Sequence, residues 1–277
     1  MDRSRRTPTV TLGLTLAAAA LAVAAQGKAY TSPQLTASEM EAFLRHAKIA
    51  DVREAGGGMT GSQRATLTNG RLTHDVHIQS VDITKPVFQA RGHTEVNFKD
   101  AYRFNIAAYR LARLLGIDAV PMSVERTVNG KGAAVTWWVD DVQMDEGERL
   151  RRKAIGPRPV RTSNQLQLMS IWDELIQNRD RNQGNILWTH DWTMWLIDHT
   201  RAFRLGEKLL KPEELTRINR ELLVRLKGLT RESVAKAVGN SLDNSEQKAV
   251  LRRRDRIVKL YEERAARLGE AAVYVEF

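Results

Sequence analysis

The sequence predicts an α+β chain in two parts, a β-rich front carrying one main helix and a mostly helical rear. Three observations lead there. Short apolar segments separated by turn residues crowd the stretch from Ile49 to Val139, with Asn69-Gly70 and Asn129-Gly130 placed to close tight hairpins. From Gln165 onward apolar residues recur mainly at helical spacing. Between the two lies Gly147 to Arg161, charged and proline-containing, which reads as a crossing segment. The chain has 277 residues, 42% of them apolar and 27% charged, enough to build a core and unlike a disordered chain.

The amino terminus reads as a targeting segment. Arg3, Arg5 and Arg6 precede Val10 to Ala25, an uncharged and mostly apolar run of 16 residues, short for a membrane span. Residues 1–25 are therefore expected to be a signal peptide, with an uncleaved amino-terminal anchor as the alternative, and residues 26–38 a linker. Cleavage leaves a mature chain without a membrane span, exported to the periplasm or secreted. The formal charge of +10 falls to about +8 when three Arg and one Asp leave with the segment. Excess positive charge attracts anions, but no nucleic-acid recognition motif accompanies it. The run Arg252-Arg253-Arg254 sits in a helical pattern and reads as a solvated face. Cysteine is absent, which excludes disulfides, thiolate metal sites and a thiol nucleophile. The histidines lack zinc-site spacing.

The front part is expected to run from 39 to 146. It opens on a short helix within Thr36 to His46 and a strand over Ile49 to Arg53. The stretch "AGGGMTGSQ" then places glycines at Gly56, Gly57, Gly58 and Gly61. Strands follow over Arg64 to Leu67 and Leu72 to Val81. The spacing of Tyr102, Ile106, Tyr109 and Leu114 predicts a helix over Phe98 to Leu115, stopped by Gly116. "DAVPMSVER" and "AAVTWWVDD" read as two more strands. The rear part, 147–277, begins its helices with Gln165 to Gln177 and continues with Pro212 to Leu226, Arg231 to Val238 and Ser245 to Leu268.

Between these helices stands "DRNQGNILWTHDWTMWLIDH", Asp180 to His199. It holds two short apolar segments around a turn, with Asp180, Asn185 and Asp198 at its margins. If Trp188 pairs with Trp195, Asn185 pairs with Asp198, and paired Cα atoms lie roughly 4.5–5.5 Å apart. An amide oxygen beside a carboxylate suits a hard cation such as Mg²⁺. Asp180, in the loop leaving the preceding helix, reaches the same place from the side. The plain alternative pairs Asp180 with Arg179 or Arg181 and uses Asp198 to cap a turn.

"NRDRNQGNIL" and "WLIDHTRAF" resemble the catalytic and metal-binding segments of the protein-kinase-like superfamily, in particular its phosphatidylinositol 3/4-kinase-like branch with small bacterial relatives and, more distantly, HipA-like kinases. "FNIAAYRLARLLGIDAVPMSVER" resembles the helix and following strand of small bacterial members. The resemblance spans roughly Ile49 to Arg204. It implies a two-lobed fold, with Asp180 orienting or deprotonating an attacking hydroxyl and Asn185 and Asp198 holding Mg²⁺ on the phosphates of ATP. It also implies that the four glycines let backbone N–H groups approach phosphate, and that the backbone of Asp140 to Val142 meets the adenine.

The sequence departs from that family at the phosphate clamp. The third-strand Lys position falls near Gln79, and the partner Glu position falls at Asn105. Neutralising both avoids an unpaired buried charge, and Gln79 and Asn105 are expected to hydrogen-bond to each other. A replacement cation is then sought among Lys85, Lys99, Arg64 and Arg71, with Lys99 foremost because it falls just inside the expected helix start. The expected function is Mg-ATP-dependent phosphotransfer to a hydroxyl acceptor that is a protein, lipid, inositol phosphate or small molecule. The alternatives are a weak or inactive pseudokinase-like nucleotide binder and a basic extracytoplasmic binding protein.

Overall fold

Alternation along the front strands decides which side chains are buried and which face a cleft. The computed structural model describes residues 35–54, 62–90 and 93–276, so the expected signal peptide, most of the expected linker and Gly56, Gly57, Gly58 and Gly61 lie outside the described residues. Helix α1 (Ala37–His46) is closed at its start by Thr36, whose hydroxyl accepts the Glu39 N–H while the Glu39 carboxylate accepts the Thr36 N–H. Strands β1 (Lys48–Glu54), β2 (Ser62–Thr68) and β3 (Thr73–Gln79) follow. In β3, Val76 and Ile78 are buried beneath α1, whereas His77 and Gln79 point to the other face.

The chain then forms a hairpin that its sequence does not announce, β4 (Asp82–Ala90) and β5 (His93–Ala101). These two strands make a sheet of their own, so Pro86 meets no third strand to which it would owe an N–H. Paired residues run Lys85↔Phe98 and Val87↔Val96, and between them Asn97 takes a left-handed backbone with φ 56°. Asparagine is among the residues that tolerate this. The hairpin corrects the expected helix start: residues 98–101 belong to β5, and helix α2 runs Arg103–Leu114. Strands β6 (Ser123–Val128) and β7 (Lys131–Trp137) complete an antiparallel five-stranded sheet in the order β1-β2-β3-β7-β6.

After the short strand β8 (Val142–Asp145), helix α3 (Glu146–Arg151) occupies part of the expected crossing segment. Helix α4 (Pro159–Ile176) starts six residues earlier than the apolar pattern indicates, with Pro159 in its first turn. Strands β9 (Ile186–Thr189) and β10 (Met194–Leu196) form the expected hairpin, and β9 also pairs with β8 to give the order β10-β9-β8. The register differs from expectation by one residue: Trp188 faces Met194, and Leu187 faces Trp195. The turn sets this. Asp191 accepts from Thr189, from the Thr193 N–H and from the Thr193 hydroxyl, and Trp192 adopts φ 62°.

The carboxyl-terminal helices are α5 (Arg220–Lys227), α6 (Arg231–Val238), α7 (Asn244–Leu268) and the one-turn α8 (Glu270–Val273), preceded by a two-residue strand β11 (Ile218–Asn219). Residues 212–214 form a separate 3-10 turn, so the expected helix over Pro212 to Leu226 shortens. The Arg252-Arg253-Arg254 run is not simply a solvated face. Arg253 is 0% exposed and donates to the carbonyls of Leu175, Arg204 and Gly206, and burial lowers its pKa to about 10.

Two apolar clusters result. One joins α1 to the buried face of the five-stranded sheet through Phe43, Leu44, Leu67 and Ile78. The other joins α2, α4, the β9–β10 hairpin and the carboxyl-terminal helices through Phe104, Trp172, Trp188 and Tyr261. Tyr109 of α2 packs against both.

Helix α7 offers a local test. Asp243 caps it, accepting from the Ser245 and Glu246 N–H groups, and also pairs with Lys99 at 3.0 Å. Desolvation opposes its charge, but these hydrogen bonds and Lys99 together hold its pKa below the ordinary value. A depressed folded-state pKa means stability present at neutral pH and lost as pH falls through that depressed value. Asp243→Ala is expected to cost about 1 kcal/mol at pH 7. The deficit, read by urea unfolding, should shrink toward zero below the ordinary aspartate range, and a pH-independent deficit would contradict the assignment.

Candidate active site

The cavity-facing side of the sheet, the segment after β7 and the β9–β10 hairpin enclose a cavity of about 810 Å³. His77, Gln79, Ser123 and Thr136 line it from the sheet; Trp138 and Val139 from the connecting segment and Val142 from β8; Leu187 and Leu196 from the hairpin and Asn185 from the turn just before it. Asp180 and Asp198 line the same cavity, as do Asn105 and two residues that sequence reasoning did not single out, Asp100 and Arg201.

Asp180 is placed by the end of α4. Gln177 turns left-handed, φ 49°, and the side-chain oxygen of Asn178 accepts the Asp180 N–H at 3.2 Å. The Asp180 carboxylate stays about half exposed, 3.3 Å from Nη1 of Arg201. Its pKa is raised, first by burial and then by the carboxylates of Asp198 and Asp100, against the opposing pull of Arg201.

The pairing of Asp180 with Arg181 does not occur, because Arg181 is committed elsewhere. Its guanidinium forms a two-pronged contact with Asp173, Nε to Oδ2 at 2.9 Å and Nη2 to Oδ1 at 3.0 Å. Nη1 donates to the carbonyls of Asn185 and Ile197 at 3.1 and 2.7 Å. One buried arginine thereby ties the end of α4 to both ends of the hairpin. His199 is fixed by the same group. Its Nε2 lies 3.1 Å from Nη2 of Arg181 and 3.3 Å from the indole N–H of Trp172, two groups that only donate. Nε2 is therefore the acceptor and the ring is neutral, consistent with a pKa driven well down by burial and by Arg181.

Asn185 ends a 3-10 turn, Gln183–Asn185, and its backbone carbonyl accepts the Ile197 N–H at 3.1 Å. This pairs 185 with 197 rather than with 198. Both predicted side chains still reach the cavity, because they stand just beyond the three-pair ladder, where Asp198 turns left-handed at φ 52°. Oδ1 of Asp198 accepts from the Thr200 hydroxyl at 3.0 Å. Its Oδ2 and the Asn185 amide hydrogen-bond to no described residue. Two free oxygen donors facing one cavity fit a divalent cation that completes its shell with phosphate and water. No group of three or more His, Asp or Glu close enough to hold a metal by itself occurs among the described residues.

Gln79 and Asn105 both line the cavity but do not bond to each other. Oε1 of Gln79 accepts the Val81 N–H at 3.0 Å, and Oδ1 of Asn105 accepts the His199 N–H at 2.8 Å. Each neutral side chain holds backbone instead. The expectation for Lys99 is corrected. It lies on β5 and points away, its Nζ 2.5 Å from Glu246 and 3.0 Å from Asp243. Arg64 is taken by Asp75 and stacks over Trp138, and neither Lys85 nor Arg71 lines the cavity. Arg201 is the only Lys or Arg among the described residues that does.

Although the chain is basic, this cavity is acidic: Asp100, Asp145, Asp180 and Asp198 stand against Arg201. His77 adds no charge near neutral pH, since burial lowers its pKa more than Asp198 raises it. A polyanion entering alone meets net repulsion; one carrying a divalent cation does not.

No protein-family model and no curated protein matches the chain. Solved structures do. The hydra Fam20 structure with sugar is similar over 86% of this chain and 92% of its own, at 16% identity and TM-score 0.64. The Golgi casein kinase with Mn and ADP bound is similar over 86% and 78%, at 16% identity and TM-score 0.65. The Helicobacter pylori proinflammatory kinase CtkA is similar over 81% and 98%, at 12% identity and TM-score 0.51. The chain has their kinase-like fold, a β-sheet amino-terminal region followed by a helical carboxyl-terminal region.

Proposed function

We propose that the chain is a phosphotransferase that moves the γ-phosphoryl group of a metal-bound nucleotide to a hydroxyl acceptor. The observation that carries this reading is the convergence of Asp180, Asn185 and Asp198 on one acidic cavity within a kinase-like fold. The acceptor oxygen bonds to the γ-phosphorus, the bond from that phosphorus to the β-bridging oxygen breaks, the hydroxyl proton passes to Asp180, and the nucleoside diphosphate leaves. Asn185 and Asp198 would hold the divalent cation, which neutralises phosphate charge. Mg²⁺ is the cation we assign, and the Golgi casein kinase solved with Mn and ADP supports a nucleotide–divalent pair. The glycines at 56, 57, 58 and 61 are assigned to the phosphates, and the segment between β7 and β8 to the base. Within the chain, 39–146 and 147–277 are assigned as the two lobes, and the mature protein as exported.

A second reading has its own observation. Gln79 and Asn105 hold backbone N–H groups and offer no charge to phosphate, which suits a nucleotide binder of weak or no activity. The basic-surface reading fits less well, because the enclosed cavity is acidic. A phosphatidylinositol 3/4-kinase-like assignment would select a lipid, and a HipA-like one a protein, among the acceptor classes.

Mature protein with γ-labelled ATP tests these readings. Transfer or release of label is expected only with Mg²⁺ or Mn²⁺ present, and Asp198→Ala is expected to raise the metal concentration needed at least about tenfold. Nucleotide binding without turnover selects the second reading. Metal-independent turnover unaffected by Asp198→Ala would remove the first.

A further inference from the structure

We propose that Arg201, aimed by the buried carboxylate of Asp100, is the cation that grips the nucleotide phosphates in place of the missing third-strand lysine. The inference rests on the phosphotransferase reading and adds a residue to it. A site that seats polyphosphate needs fixed positive charge beyond the metal, and Gln79 supplies none.

Arg201 follows Asp198 by three residues, so it stands beside the oxygens assigned to the metal rather than across the cleft on the sheet. Its Nε donates to Oδ2 of Asp100 at 3.0 Å, its guanidinium lies over the Phe98 ring at 5.5 Å, and Nη1 is 3.3 Å from Asp180. Nη2 hydrogen-bonds to no described residue, and the side chain is 32% exposed. Nε is thus clamped by Asp100 and Nη1 lies beside Asp180, while Nη2 remains available.

Asp100 is an odd place for a carboxylate. It is 3% exposed and lines the cavity, and its Oδ1 has no hydrogen-bond partner among the described residues. Burying such a group is costly unless it serves a cation. Strand β5 fixes it there: the neighbouring Ala101 N–H donates to the Thr200 carbonyl at 2.9 Å, next to Arg201. Asp100 is therefore a positioning residue. It sets the plane of Arg201, whose planar fork matches phosphate oxygens better than an ammonium does. A phosphate arriving at the Nη edge competes with Asp180 for that edge.

The test compares Mg-ADP with adenosine by calorimetric titration of the mature protein, so that the phosphate-dependent part of binding is read separately. Wild type is expected to bind Mg-ADP more tightly than adenosine. Arg201→Gln is expected to weaken Mg-ADP roughly 10- to 100-fold with adenosine unchanged. Arg201→Lys, which keeps the charge and loses the fork, should fall between them. Asp100→Asn should shift the ratio in the same direction, because the fork loses its aim. An ADP-to-adenosine ratio equal to wild type in Arg201→Gln, or in Arg201→Lys should the glutamine variant not fold, overturns the proposal. Wild-type protein that binds neither compound overturns the phosphotransferase reading itself, a separately visible failure.

Discussion

Asp180→Asn is expected to lower phosphoryl turnover by about 10²–10⁴-fold while leaving the folded protein at least as stable. Loss of a proton acceptor from the transition state removes that factor without touching the metal-facing oxygens of Asn185 and Asp198. The stability side follows from linkage. Burial and the neighbouring carboxylates raise the pKa of Asp180 above its ordinary value. A raised folded-state pKa means that the fold disfavours the ionised form; the favourable contribution is complete below the unfolded value and disappears as pH rises through the folded one. At pH 7 wild type therefore carries an ionised group in a place that resists it, and asparagine relieves that. Wild-type turnover should fall on the acid side at a pH above the ordinary aspartate value, and the variant's residual turnover should lack that limb. Turnover within threefold of wild type, with an unchanged pH profile, would take Asp180 out of the reaction.

The combination of unchanged stability and lost turnover matters because it separates a site residue from a scaffold residue, and the sequence marks the two differently. Helices α1, α2, α4, α6 and α7 are legible from apolar spacing, since each buries one face. The β6–β7 and β9–β10 hairpins are legible because short apolar segments flank turns that carry the residues turns require. The β4–β5 hairpin is not: Pro86 argues against a strand, and Ile83, Val87 and Val96 are exposed, so alternation reports no core. The hairpin register is lost for a different reason. It is fixed by Asp191 accepting within the turn, and a one-residue difference there moves every pair beyond it. Asn185 and Asp198 survive that difference because neither lies in the ladder. Asp100 and Arg201 were hidden by distance, 101 positions apart in the chain, and by the reading of residue 100 as helical.

Arg181→Met is expected to destabilise the protein by about 3–5 kcal/mol. Arg181 is 8% exposed and its partner Asp173 14%. Removing the guanidinium leaves the Asp173 carboxylate with only the Asn178 amide at 3.3 Å, and it strips a donor from the carbonyls of Asn185 and Ile197 and from Nε2 of His199. A buried carboxylate left without its cation costs far more than the intact pair contributes. The double variant Asp173→Leu with Arg181→Met removes that stranded charge, so it should recover much of the loss in urea unfolding, with a coupling of about 1–3 kcal/mol between the two sites. Function should not recover with it. The carbonyls of Asn185 and Ile197 flank the two residues assigned to the metal, and no side chain in the double variant ties them to the end of α4. Stability restored without turnover would separate the two tasks of Arg181, neutralising Asp173 and aligning Asp180 with the hairpin. A single variant less than about 1 kcal/mol below wild type would mean that the pair is no more than a surface contact and that the alignment has another source.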